Sequence, residues 1–404
     1  MGLTAVQKIL AAHTERSRPV PGELVWARVD WACIDDVQWP IFKRAFADLG
    51  GTIFDRSRVI AIADHYLPPS TVDQAETVNE LRAFAREQVI PHAFFVEGVK
   101  HQVFIEEGLL QPGQLLVATD SHTPTAGAAG AIGIAVGPTE VAAAFVNGTV
   151  WLRVPQTIRI VLPGTLPPMV FAKDIALHIL GREGTRFGNY RVLDFEGAAL
   201  ESIGLAGRMT LANMGTEMGA KATMVAPETG MVSDPDAAFE REIAVDVGQL
   251  TPLVAAPHRP SNVDDVHRFA DVRVDQAFIG SCANATYDDL DVAARVLRGR
   301  RIAPTVQMIV TPASMAAYRR ALHDGVIDTL LAAGALVTGP GCGACAGLHM
   351  GVLGPGEVRI SSQNRNFIGR GGHRDAAIYL ASPATVAASA LTGRITDPRE
   401  VGFA

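Results

Sequence analysis

Short apolar runs alternate along this chain with longer stretches whose apolar positions recur every three or four residues, the pattern of strands buried between helices. In the first part the pattern predicts a helix over 4–13, a strand over 23–29 and a helix over 38–49 stopped by Gly50 and Gly51. A strand over 59–63, a helix over 71–88, a strand over 114–118 and a helix over 139–146 follow. After Pro155 come a strand over 157–162, a helix over 171–180 and a strand over 192–195. Residues 251–263, with Pro252, Pro257 and Pro260, read as a boundary. Beyond them the pattern gives strands over 276–279, 306–310, 335–338 and 358–361, and helices over 287–297, 314–333 and 384–391. The expected class is α/β, in three units covering 1–155, 156–262 and 263–404.

In such folds ligands gather at the carboxyl ends of strands. The run ending at Ala63 delivers Asp64 and His65, and the run ending at Ala118 delivers Asp120, Ser121 and His122, with His101 shortly before. A single histidine so placed is as readily a turn with a solvated imidazole; two strand ends carrying an Asp and a His make the repetition informative. The glycines at 127, 130, 133 and 137 fit neither a dinucleotide nor a P-loop motif and point to close backbone packing. Asn213 and Glu217, four apart, read by default as the solvent face of a helix. Arg365 and Arg370 lie on a glycine-containing loop after a strand, a placement that serves a carboxylate clamp or a plain surface loop.

Four cysteines occur, and three stand in glycine-lined turns: Cys282 within Gly280-Ser281-Cys282-Ala283-Asn284, and Cys342 and Cys345 within Gly341-Cys342-Gly343-Ala344-Cys345. Thiolates at such turns suit metal ligation, and a helix start nearby favours the ionised sulfur. Two metal readings stay open: with His349 the three complete a closed zinc site, and without it they leave an iron-sulfur cluster one ligand short. Unliganded buried thiols are the third reading. Cys33, alone in Trp31-Ala32-Cys33-Ile34, reads as a small buried hydrophobe.

Composition narrows the setting. Apolar residues make up 48% and charged residues 19%, a globular balance, and the net charge of -7 with no Lys/Arg run gives no electrostatic reason to expect nucleic acid or membrane. An anionic substrate would therefore rely on local arginines. No leader-like start and no spanning apolar run is read, so a cytoplasmic protein is expected.

Taken together, Ala63-Asp64-His65, His101-Gln102, Thr119-Asp120-Ser121-His122-Thr123, Asn213-Met214-Gly215-Thr216-Glu217, Gly280-Ser281-Cys282, Gly341-Cys342-Gly343-Ala344-Cys345 and Asn364-Arg365-Asn366-Phe367 resemble the aconitase and isopropylmalate isomerase superfamily. The resemblance implies three α/β/α domains around a [4Fe-4S] cluster held by Cys282, Cys342 and Cys345. It implies that Asp64, His65, His101, Asp120, His122 and Glu217 handle the protons and the water, and that Ser121, Asn364, Arg365 and Arg370 bind substrate. Asn213, Ser281 and Asn284 would support the cluster. The activity implied is a hydro-lyase acting on a substituted malate, 2-isopropylmalate foremost, with homoaconitate, citraconate or another alkylmalate as alternatives. The family's swivelling fourth domain, which carries a serine base, is not read in this chain, so a small partner subunit is expected to bring it. Asp35 and Gln38 depart from the family pattern in a substrate-facing loop and would mark a different malate derivative. RNA binding and a structural zinc site are the readings of another class.

Overall fold

The computed structural model describes residues 2–225 and 230–404. Three parallel-rich sheets organise it. The first has five parallel strands in the spatial order His92–Phe94, Val59–Ile62, Trp31–Asp35, Leu115–Ala118, Ile132–Ala135. The second has four parallel strands in the order Ala222–Met224, Arg191–Glu196, Gln156–Val161, Arg241–Ala244. The third has seven: Val263–Asp265, Leu253–Ala255, Ala377–Leu380, Val358–Ser361, Gln276–Ile279, Gln307–Val310 and Leu336–Val337, the last five parallel. That sheet takes in Leu253–Ala255, upstream of residue 263. A two-stranded antiparallel ribbon joins Leu24–Arg28 to Thr149–Arg153.

Because parallel strands are covered on both faces, their side chains are apolar nearly throughout, and Val59–Ile62, Leu115–Ala118 and Gln276–Ile279 are buried at every position. Helices start where the sequence supplies caps. Thr4 and Gln7 close a reciprocal box at the first helix, Ala5–His13, and Thr286 and Asp289 do the same for Tyr287–Leu297. One expected element is divided: residues 314–333 form two helices, Met315–His323 and Val326–Ala333, because Gly325 takes a left-handed φ of 73° between them. The central strand Trp31–Asp35 escaped the periodicity, being short and flanked by charge.

The glycine-rich segment packs as its composition suggests. A Cβ on Gly127 would lie 1.7 Å from the Thr223 carbonyl oxygen, and one on Gly133 2.0 Å from that of Thr123, so both positions are confined to glycine by backbone contact. The first and third sheets meet end to end: Val99 N donates to Ala313 O at 2.8 Å and Cys342 N to Asp64 O at 3.3 Å. No helix among the described residues is long and apolar enough to cross a membrane.

Candidate active site

The site is built where the carboxyl ends of the first and third sheets face each other. In the first sheet, Asp35 ends the strand Trp31–Asp35, Asp64 follows Val59–Ile62, and Asp120 follows Leu115–Ala118. The order of these strands reverses between Trp31–Asp35 and Leu115–Ala118, which opens a crevice there. Lys100, the first residue of the helix Lys100–Glu106, is fully buried in that crevice. Its Nζ lies 2.7 Å from Asp35 and 3.5 Å from both Asp64 and Asp120.

Three carboxylates crowded so closely would repel one another without this ammonium. Burial opposes the charge on Lys100, yet Asp35 and Asp64 prevail and raise its pKa. Burial likewise resists ionisation of Asp64, but Lys100 and His65 hold it down at about 2. His65 Nδ1 contacts Asp64 at 2.9 Å and its Nε2 lies 3.4 Å from Asp120. Asp36, which the sequence did not single out, accepts from the backbone N–H of both His65 and Tyr66 at 3.1 and 2.8 Å and so shapes the histidine turn.

His122 Nε2 meets Glu217 at 2.9 Å, and Arg365 Nε donates to the same Glu217 oxygen at 2.9 Å while its Nη2 donates to Ser121 at 3.1 Å. Burial disfavours the charged imidazoles of His65 and His122, but the neighbouring cysteine and carboxylate groups outweigh it and raise both.

From the third sheet come the sulfurs. Strand Gln276–Ile279 leads to Cys282, and the chain leaving Leu336–Val337 carries Cys342 and Cys345. Ser281 takes a φ of 77°, a conformation costly for a residue with a Cβ, and turns its hydroxyl to donate to Asn364 Oδ1. Asn364 Nδ2 in turn donates to Asn213 Oδ1 and lies 3.5 Å from Cys282 Sγ. Burial raises the Cys282 thiol, but the His122 imidazolium beside it brings it to about 6.

These groups converge on one cavity. His65, Val99, His101, Asp120, His122, Ser281, Cys282, Cys342, Cys345, Ala346, Asn364 and Arg370 line it. Asn213 and Glu217, expected on a solvent face, are buried instead, because the end of the helix Gly204–Met214 packs against residues 123–129. Cys33 is buried in the first sheet, as expected of a small hydrophobe.

Of the expected site residues that do not line the cavity, Asp64, Ser121, Asn213, Glu217 and Arg365 contact residues that do or each other, whereas Asp35, Gln38 and Asn284 are turned to other work. Asp35 spends its carboxylate on Lys100 and on Thr119 Oγ1 at 2.6 Å. Gln38 caps the helix Trp39–Asp48 without lining the cavity, its backbone N–H bonded to Asp35 at 3.0 Å. Asn284 turns its amide toward Thr210 and Asp289, both at 3.0 Å, and shapes the cysteine turn from behind. For Asp35 and Asn284 a nearer partner claims the polar group. Lys100 went unnoticed in the sequence because a lysine beside a histidine carries no signal of a partner 65 residues away.

The donor set suits a cluster better than one ion. Ligand sulfurs on a tetrahedral zinc lie about 3.8 Å apart. Among the described residues, the one group of three or more His, Cys, Asp or Glu whose ligand atoms all lie within 4.8 Å of one another is Asp35, Asp36 and His65, where Lys100 already supplies the cation. The three cysteines and His349 do not close to that distance, so the single-zinc reading is set aside. Glu217 Oε2 and Arg370 Nε, both buried, have no hydrogen-bond partner among the described residues, as expected of groups that face a ligand.

Comparison with known proteins agrees with this geometry. Residues 7–233 and 264–393 match the model of the aconitase family (aconitate hydratase). The chain is 42% identical to the 3-isopropylmalate dehydratase large subunit 1 of Methanopyrus kandleri, over 99% of each chain. It is 42% identical to the large subunit of Syntrophus aciditrophicus, over 99% of this chain and all of that one, and 41% identical to that of Moorella thermoacetica over the same shares. Among solved structures, the holo-form of Thermococcus kodakaraensis aconitase X is similar in fold, with a TM-score of 0.54 at 14% identity, covering 92% of this chain and 93% of that one.

Proposed function

The chain belongs to the aconitase family, and from that membership we propose that it is the large subunit of a 3-isopropylmalate dehydratase, a hydro-lyase that converts 2-isopropylmalate to 3-isopropylmalate by removing water and adding it back. The observation that carries the reading is the single cavity shared by three cysteines, three histidines, Asp120 and Arg370. The departure at Asp35 argues for no other substrate, since its carboxylate is bound to Lys100 rather than presented to the cavity.

Enzymes of this family hold a [4Fe-4S] cluster, and Cys282, Cys342 and Cys345 are the residues that would hold it here. When bound, the cluster supplies an iron that withdraws electrons from the substrate hydroxyl. His65 holds the proton for that departing hydroxyl, with Asp64 fixing Nδ1 so that Nε2 faces the cavity. Asp120 lies within 3.6 Å of His65, His101 and His122, keeping the three rings in one orientation. Glu217 and Ser121 orient the Arg365 guanidinium, and Arg365 and Arg370 bind the substrate carboxylates, where negative charge builds as the carbon-bound proton leaves. The large-subunit names of the relatives imply a small partner subunit, and in this reading that subunit brings the base that takes the proton. The setting is cytoplasmic.

The test combines the anaerobically reconstituted chain with its small subunit and follows the unsaturated intermediate. The pair is expected to turn over 2-isopropylmalate while either subunit alone does not. Full-rate turnover by the chain alone, or a pair that ignores 2-isopropylmalate and dehydrates another malate, would contradict the assignment.

A further inference from the structure

Two cations inside this molecule lack the counter-charge that a buried cation ordinarily keeps. Arg359, on the strand Val358–Ser361, and Lys173, on the helix Ala172–Glu183, are both fully buried. Neither has a carboxylate oxygen within 4.0 Å among the described residues, whereas the third buried cation, Lys100, has three such partners. Moving a cation out of water without an anion is expensive, so the missing charge requires an explanation.

Both are met by neutral dipoles, and both grip the backbone that surrounds the three sulfurs. Arg359 Nε donates to Gln276 Oε1 at 2.7 Å, Nη1 to the carbonyl of Ala344 at 2.8 Å, and Nη2 to the carbonyl of Gly351. It therefore clasps the Cys342–Cys345 loop at Ala344 and the chain that leaves it at Gly351. Lys173 Nζ donates to the carbonyls of Ser362 and Gln363, both at 2.9 Å, just before Asn364. Gln363 links the two cations: its Oε1 lies 3.4 Å from Arg359 Nη1, and its Nε2 donates to the Cys345 carbonyl at 3.3 Å. Burial lowers Lys173 to about 8 and Arg359 to about 10, and in both the Cys345 thiolate is among the charges that oppose the fall.

A cluster held by three thiolates is a net anion, and its potential responds to net charge nearby. We propose that Arg359 and Lys173 are positioning residues that place fixed positive charge behind the three-thiolate site, raising the potential of the cluster and slowing its loss. This rests on the cluster reading of the preceding subsection.

The experiment uses the full chain, reconstituted anaerobically, as wild type and as Arg359→Gln, Arg359→Lys and Lys173→Met. Iron and sulfide content, the midpoint potential by spectroelectrochemistry and the rate of iron loss to a chelator are read. The neutral variants, Arg359→Gln and Lys173→Met, are expected to show a more negative potential and iron loss about 10- to 100-fold faster, and Arg359→Lys to keep the wild-type potential. If the wild type loads no cluster, the functional reading falls and takes this proposal with it. If the wild type loads but both neutral variants match it, or Arg359→Lys shifts the potential as far as Arg359→Gln, the proposal alone is overturned.

Discussion

Replacing Lys100 with methionine is expected to cost the folded chain about 3–5 kcal/mol, because it strands a buried carboxylate cluster without its cation. The ammonium is the shared neighbour of Asp35, Asp64 and Asp120, and methionine fills its volume without its charge. The loss should reach the chemistry as well, since Asp64 and Asp120 both contact His65. Coupling distinguishes a charge effect from a packing effect. Removing the nearest carboxylate at the same time, in Asp35→Asn with Lys100→Met, should restore much of the denaturation midpoint that Lys100→Met loses. Losses that simply add in the double variant would show that the pair contributes through shape and not through charge.

The second large effect is expected at Cys282. Its thiol is brought to about 6 by the His122 imidazolium despite burial, and a serine hydroxyl in its place stays protonated under the same conditions. Cys282→Ser should therefore leave a fold of near-native stability that fails to retain the cluster. With the cluster go several kcal/mol of transition-state stabilisation, roughly a thousandfold in kcat. Circular dichroism and iron content measured on one sample separate the two effects. A serine variant that retained full iron and kcat would remove Cys282 from the ligand set.

Much of this was legible in the chain itself, and the exceptions share a cause. Strand ends carrying Asp64–His65 and Asp120–His122 stood out because parallel strands are nearly pure apolar runs, so polar residues at their ends are conspicuous. The cysteine turns were legible because glycines mark the tight backbone that a sulfur ligand needs. The spacing of Asn213 and Glu217 alone points to solvent, because a spacing of four fixes a shared face but not whether that face looks inward; the resemblance is what places them in the site. Asp35 and Lys100 escaped notice as a pair because their contact is tertiary. A buried ion pair between residues 65 apart leaves no periodicity in either segment. Arg359 and Lys173 were invisible for the same reason, as each is satisfied by carbonyls, which every residue carries.

The central claim, that three cysteines meet around one cluster, is tested most directly by counting iron and acid-labile sulfide in the anaerobically reconstituted wild-type chain. The account predicts about four of each per chain, lost together when Cys282, Cys342 and Cys345 are replaced by serine. One zinc per chain without sulfide, or iron and sulfide that persist in the triple variant, would contradict it.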